Sequence, residues 1–154
     1  GLRLSSPVVA GFQVSTGGRI WVSTEAEELQ ISDYVTFAGR QGNIRSFLGS
    51  CDIGVHPSFA EVGYSLSTLE FMNAGLAVVT SDHESVSGAI EPEQTGVTFR
   101  TGDAISAAST IARLLDDPDL TSRLGAAGRA VSVSRFNIER THSTLITTVE
   151  QIIR

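Results

Sequence analysis

Short apolar runs recur along the chain, each separated from the next by a stretch with helical spacing. Pro7 to Phe12 (PVVAGF), Tyr34 to Ala38 (YVTFA), Ile53 to Val55, Leu76 to Thr80 (LAVVT) and Gly96 to Phe99 (GVTF) read as strands. Their apolar character is nearly continuous rather than alternating, which suits strands covered on both faces. Between them, Arg19 to Leu29, Asn43 to Ser50, Leu66 to Ala74 and Glu84 to Ala89 read as helices. Strand, helix, strand in succession builds a parallel sheet wound by right-handed crossovers. The expected fold class is therefore α/β, a Rossmann-like doubly wound parallel sheet.

The last third reads as helical. Ile105, Ala108, Ile111, Ala112 and Leu115 form one apolar stripe, with Asp103 as the expected N-cap. Asp117-Pro118 breaks that helix, and Pro118 suits the first turn of the next. A final amphipathic helix places Ile138, Leu145, Val149 and Ile152 on one side. No internal repeat or linker interrupts the 154 residues, so the expectation is a single domain over 1–154 with a helical C-terminal tail.

Composition narrows the partners. The formal net charge is −6, and the 11 basic residues are scattered, which argues against a nucleic-acid-binding face. A phosphate-bearing ligand would then be held locally, by backbone amides and one or two cations. The single Cys51 forms no internal disulfide, which together with the lack of a signal-peptide layout points to the cytoplasm. No apolar run approaches the ~18 residues of a membrane span. Peripheral membrane contact stays open, although no basic amphipathic stripe supports it.

Ligands of such sheets bind beyond the carboxyl ends of the strands, where loops meet helix N-termini. The stretch of that kind richest in chemistry runs from His56 to Gly75, HPSFAEVGYSLSTLEFMNAG. It follows a short strand, passes through a loop and enters a helix that Gly75 ends. Gly63 and Ser65 bracket the helix entrance, where small residues, free N–H groups and the helix dipole favour an anion such as phosphate. Glu70 lies in the first turns of that helix and Glu61 in the loop ahead of it. Two carboxylates beside an anion site suit a phosphate joined to sugars, whose hydroxyls donate to carboxylates. Plainer readings stand beside this one. Ser67-x-x-Glu70 is also a capping box, and Glu61 alone reads as a solvated loop carboxylate. Leu66, Leu69 and Met72 are expected to face the core.

The stretch resembles the E-x7-E region of glycosyltransferase family 4, the group 1 glycosyltransferases, whose members have the GT-B fold of two facing Rossmann-like domains. The resemblance extends over Tyr34 to Arg154. It includes Val35-Thr36-Phe37-Ala38-Gly39 ahead of the site, Phe47 to Ile53 leading into it, and Thr95 to Phe99 with Gly102-Asp103 after it. The Leu115-Asp116-Asp117-Pro118 break and Ser134-Arg135-Phe136-Asn137 also have counterparts.

That resemblance implies the C-terminal, donor-binding half of a retaining glycosyltransferase, which moves a sugar from a nucleotide-sugar to a glycan, lipid or small-molecule acceptor. It implies that Glu70 accepts hydrogen bonds from the donor ribose. It further implies that Gly63, Tyr64, Ser65 and Leu66 meet phosphate and sugar, that Gly39 and Arg40 border the nucleobase, and that Glu61 addresses the transferred sugar as the candidate catalytic residue. A UDP- or GDP-sugar would be co-substrate, with no metal and no further cofactor. The acceptor would sit on an N-terminal domain that this sequence lacks. The pathway class implied is polysaccharide biosynthesis.

Three departures stand out. Eight residues separate Glu61 from Glu70 rather than seven, which sets Val62 at the first-glutamate position when the match is anchored on Glu70. Ser65 stands where a second glycine is common, and Gly88 near where another glutamate is usual. No G-R-x-x-x-K-G-like element precedes residue 34; Gln13 to Arg19 reads either as a glycine loop or as an ordinary turn.

Rival functions fare unevenly. A nucleotide-hydrolysing protein would need G-x-x-x-x-G-K-[ST], and G-x-G-x-x-G is also absent. A hydrolase using Cys51 or a serine with His56 is weakened by the place of Cys51 just ahead of a buried strand. His56, His83 and His142 are isolated in sequence, without metal-site spacing. A non-catalytic nucleotide-sugar-binding or regulatory module of the same fold remains the alternative.

Overall fold

Ala77–Ser81, all five residues buried, is what a run of small and β-branched apolar residues becomes at the centre of a covered sheet. The computed structural model describes Ala38, residues 41–61 and residues 64–153. The expected strand at Pro7 to Phe12, the helix at Arg19 to Leu29 and all but the last residue of the strand at Tyr34 to Ala38 lie outside the described residues.

Three parallel strands are described: β1 (Ile53–His56), β2 (Ala77–Ser81) and β3 (Val97–Phe99), in the order β1-β2-β3. Pairing runs from Ile53↔Ala77 to His56↔Thr80, and from Val79↔Val97 to Ser81↔Phe99. The helices are α1 (Ile44–Leu48), α2 (Leu66–Ala74), α3 (Glu84–Ser87), α4 (Ala104–Asp116), α5 (Pro118–Arg135) and α6 (Ile138–Ile152). α2 lies between β1 and β2, and α3 between β2 and β3, the connections that parallel strands require.

Successive β2 residues point to opposite faces, and each face has its own core. Val78 packs with Leu48, Phe71, Met72, Leu76, Ala89 and Ile90, under the first three helices. Ala77 and Val79 pack with Val97, Phe99, Leu114 and Leu124, under α4 and α5. Helices on both faces of a parallel sheet make this the doubly wound α/β arrangement expected.

Side-chain oxygens set the helix starts. Asp103 accepts from Ser106 N–H and Asp117 from Leu120 N–H, each at 2.9 Å, and Pro118 occupies the first turn of α5. Gly75 ends α2 in the left-handed region at φ 85°, and its N–H returns to the Met72 carbonyl.

Two expected faces are corrected. Leu66 is 74% exposed: it is the first helical residue, at the loop end of α2, while the buried stripe is Ser67, Thr68, Phe71 and Met72. On α4, Ile105 is 81% exposed, and Leu114, with Ala107 and Ile111 beside it, meets the sheet. α6 forms as expected, and its Leu145, Val149 and Ile152 are exposed. Among the described residues no helix is long and apolar enough to cross a membrane.

Candidate functional site

His56 is the last residue of β1, and Ser81 the last of β2. Beyond these carboxyl ends the chain gathers the loop that carries Glu61, the start of α2 and the start of α3. Ser65 caps α2: its backbone is extended, and its buried hydroxyl accepts from Thr68 N–H at 3.3 Å. Leu69 N–H opens the helical ladder to the Ser65 carbonyl. The cap is thus Ser65, two residues ahead of the Ser67 that the capping-box reading needs. Glu70 is exposed, and no hydrogen bond or ion pair among the described residues reaches it. Its carboxylate is left to face outward from one turn inside the helix.

Glu61 is not the free loop carboxylate that its local sequence suggests. Its Oε1 lies 2.8 Å from His56 Nε2, and its N–H donates to Ser85 Oγ at 3.0 Å. Ser85 is in turn 2.9 Å from His83 Nδ1, the atom that caps α3. The loop behind Glu61 is tied down as well, because the Ser81 hydroxyl donates to the Ser58 carbonyl at 2.5 Å. His56, isolated in sequence, is therefore a partner of Glu61 in space.

Other side chains border the loop. Tyr64 is half-exposed, stands edge-on to Phe136 with centroids 5.3 Å apart, and lies close to Gly88. Asp82 follows β2; hydrogen bonds from the Thr101 hydroxyl, then from the Thr101 N–H, hold its carboxyl below the usual range. The hydroxyls of Thr68 and Thr80 are buried without a hydrogen-bond partner among the described residues. Gly39, Arg40 and Gly63 lie outside the described residues. Tyr64, Ser65 and Leu66 meet at the α2 entrance, with Glu61 on the loop before it and Glu70 farther along the helix. The sequence marks Ser81-Asp82 as the end of the second buried strand, where the site lies, but it gives no sign of Ser85, whose hydroxyl accepts from the Glu61 N–H across 24 residues.

A cavity of about 930 Å³ opens at the other end of the sheet, lined by Ile53, Gly75, Leu114, Pro118 and Arg129 among others. Cys51 borders it, and burial pushes the thiol pKa up, the opposite of an activated nucleophile. This leaves the hydrolase reading without support at Cys51. Among the described residues no cluster of three or more His, Cys, Asp or Glu is arranged to hold a metal.

Residues 7–131 match the family model described as glycosyl transferases group 1. The chain belongs to that family. Among relatives of this group 1 chain, the lipopolysaccharide core biosynthesis glycosyltransferase LpsD of Rhizobium meliloti is 33% identical over 111 residues, which are 72% of this chain and 32% of LpsD. A second is the N,N'-diacetylbacillosaminyl-diphospho-undecaprenol alpha-1,3-N-acetylgalactosaminyltransferase of Campylobacter jejuni. It is 36% identical over 93 residues, 60% of this chain and 24% of that enzyme. The group 1 chain thus spans about a third or less of the length of these relatives. Among solved structures, the sucrose-phosphate synthase of Thermosynechococcus elongatus superposes with a TM-score of 0.83 at 27% identity, over 94% of this chain and 37% of that one. HepE of Anabaena, solved with UDP, gives 0.80 at 20% identity over 84% and 36%. The fold is that of the GT-B glycosyltransferases, and the coverage is consistent with their C-terminal half.

Proposed function

We propose that this group 1 chain is the donor-binding half of a retaining family 4 enzyme, taking a nucleotide-sugar at the carboxyl ends of β1 and β2. The observation that carries the reading is the division of labour at α2. Ser65 satisfies the helix start, so Glu70 is spared that task and stands exposed without a partner among the described residues. A carboxylate in that position suits the ribose hydroxyls of a nucleotide, with Glu61 on the loop for the sugar. Tyr64, Ser65 and Leu66, with Gly63, border the phosphate and sugar, and Gly39 and Arg40 the base. The α2 N-terminus favours the negative charge that grows on the departing diphosphate. Transfer proceeds on the face the diphosphate leaves, without a metal, to an acceptor held by a facing N-terminal domain. HepE was solved with UDP, and LpsD is named for lipopolysaccharide core biosynthesis, which supports a UDP-sugar donor and a glycan acceptor.

Calorimetric titration with UDP-, GDP- and ADP-sugars tests this. The expected result is saturable 1:1 binding of one nucleotide class. A folded protein that binds none of them refutes the donor-site reading.

A further inference from the structure

Glu61 is held from the strand side of its loop. Its carboxylate is bonded to His56 at the carboxyl end of β1, and its N–H to Ser85 in α3. Ser58, three residues earlier, is tied to Ser81 at the carboxyl end of β2, and its own hydroxyl donates to the Ala60 carbonyl at 2.9 Å. Ser85 is fixed from behind by His83, whose Nδ1 also accepts the Ser85 N–H at 3.3 Å. All these anchors stand on β1, β2 and the start of α3. His56 in particular is locked by the sheet register opposite Thr80. The place of the Glu61 carboxylate is therefore set by the strand ends and not by its spacing to Glu70. An eight-residue interval between the two glutamates leaves it where it is.

The chemistry of the pair points the same way. A carboxylate only accepts, so the imidazole donates from Nε2 to Oε1, and Oε2 is left for another donor. The pair is partly buried, the His56 side chain being 18% exposed and that of Glu61 31%. What it supplies is direction: one carboxylate oxygen is pinned and the other aimed.

We propose that His56 is the positioning residue for Glu61, holding the carboxylate so that its second oxygen accepts a hydroxyl of the donor's sugar. This rests on the donor-site reading above. Ser85 and His83 fix the backbone of the same residue.

The test is calorimetric, on this chain, with UDP-glucose, GDP-mannose and ADP-glucose, each compared with its free nucleoside diphosphate. The proteins are wild type, His56→Leu, His56→Gln, Glu61→Ala and the His56→Leu/Glu61→Ala pair. His56→Leu is expected to weaken the nucleotide-sugar about tenfold, the scale of one hydrogen bond to a charged group, and to leave the free diphosphate unchanged. His56→Gln, whose side-chain amide donates over a similar reach, recovers most of the loss. His56→Leu adds nothing once Glu61 is alanine. Equal losses for sugar and diphosphate would mark His56 as merely structural and overturn the proposal. So would no loss at all, or a His56→Leu effect that persists without Glu61. Wild type that binds no nucleotide overturns the donor reading itself, a result distinct from wild type that binds with His56 silent.

Discussion

The Asp82 carboxylate accepts two hydrogen bonds from one residue, Thr101, through its hydroxyl at 2.6 Å and its N–H at 2.8 Å. Asp82 follows β2 and Thr101 lies in the turn after β3, so the contact joins the carboxyl ends of neighbouring strands. Asp82 N–H also donates to the Phe99 carbonyl at 2.8 Å. The turn that borders the candidate site is thus anchored to the sheet.

The Thr101 bonds lower the Asp82 pKa in the folded state below its ordinary 3.8. For a depressed carboxylate the stabilisation is fully present above the unfolded value and lost as pH falls through the folded one. Asp82→Ala is therefore expected to lower the melting temperature at pH 7, with a gap that holds down to about pH 4 and closes below it. Thermal melts of both proteins from pH 7 to pH 2.5 check this; a gap that widens on acidification contradicts it.

Ser65→Ala should destabilise the chain by about 1 kcal/mol through loss of the α2 cap, and Ser65→Gly by only a few tenths. Urea denaturation followed by circular dichroism measures both. Equal effects from the two substitutions would show that the Ser65 hydroxyl is not the cap.

Gly125→Ala should destabilise by about 1–3 kcal/mol or more, as overpacking does. A Cβ there would sit 2.2 Å from the Gly75 carbonyl oxygen, where α5 crosses the end of α2. Neither backbone gives way as a flexible side chain would. Unchanged stability in denaturant would mean that the two helices are not this close.

Much of this architecture was legible in the sequence, and its gaps have physical causes. The Leu66–Ala74 helix was readable to the residue because Gly75 and the following apolar run bound it, and Asp103 and Asp117-Pro118 marked the later helix starts. The buried face of α2 was not readable. Two of its positions hold the hydroxyl residues Ser67 and Thr68, so apolar spacing alone pointed to Leu66 instead. On α4, Ile105 and Leu114 stand at opposite edges of one apolar face, and spacing alone did not say which edge meets the sheet. At the site, the local pattern found Glu61, Ser65 and Glu70. It did not find His56 or Ser85 as their company, because the loop must fold back over five residues to bring Glu61 against His56, and the Glu61 N–H reaches Ser85 across 24 residues.

The central claim is that Glu70 serves a nucleotide-sugar and not the helix that carries it. Calorimetry of Glu70→Ala against the donor that wild type binds, paired with its melting temperature, tests this most directly. The expected result is an affinity lower by roughly 1.5–3 kcal/mol, the range for a hydrogen bond to a charged group, with the melting temperature unchanged. Intact affinity together with a less stable fold would contradict the account and return Glu70 to a purely structural role.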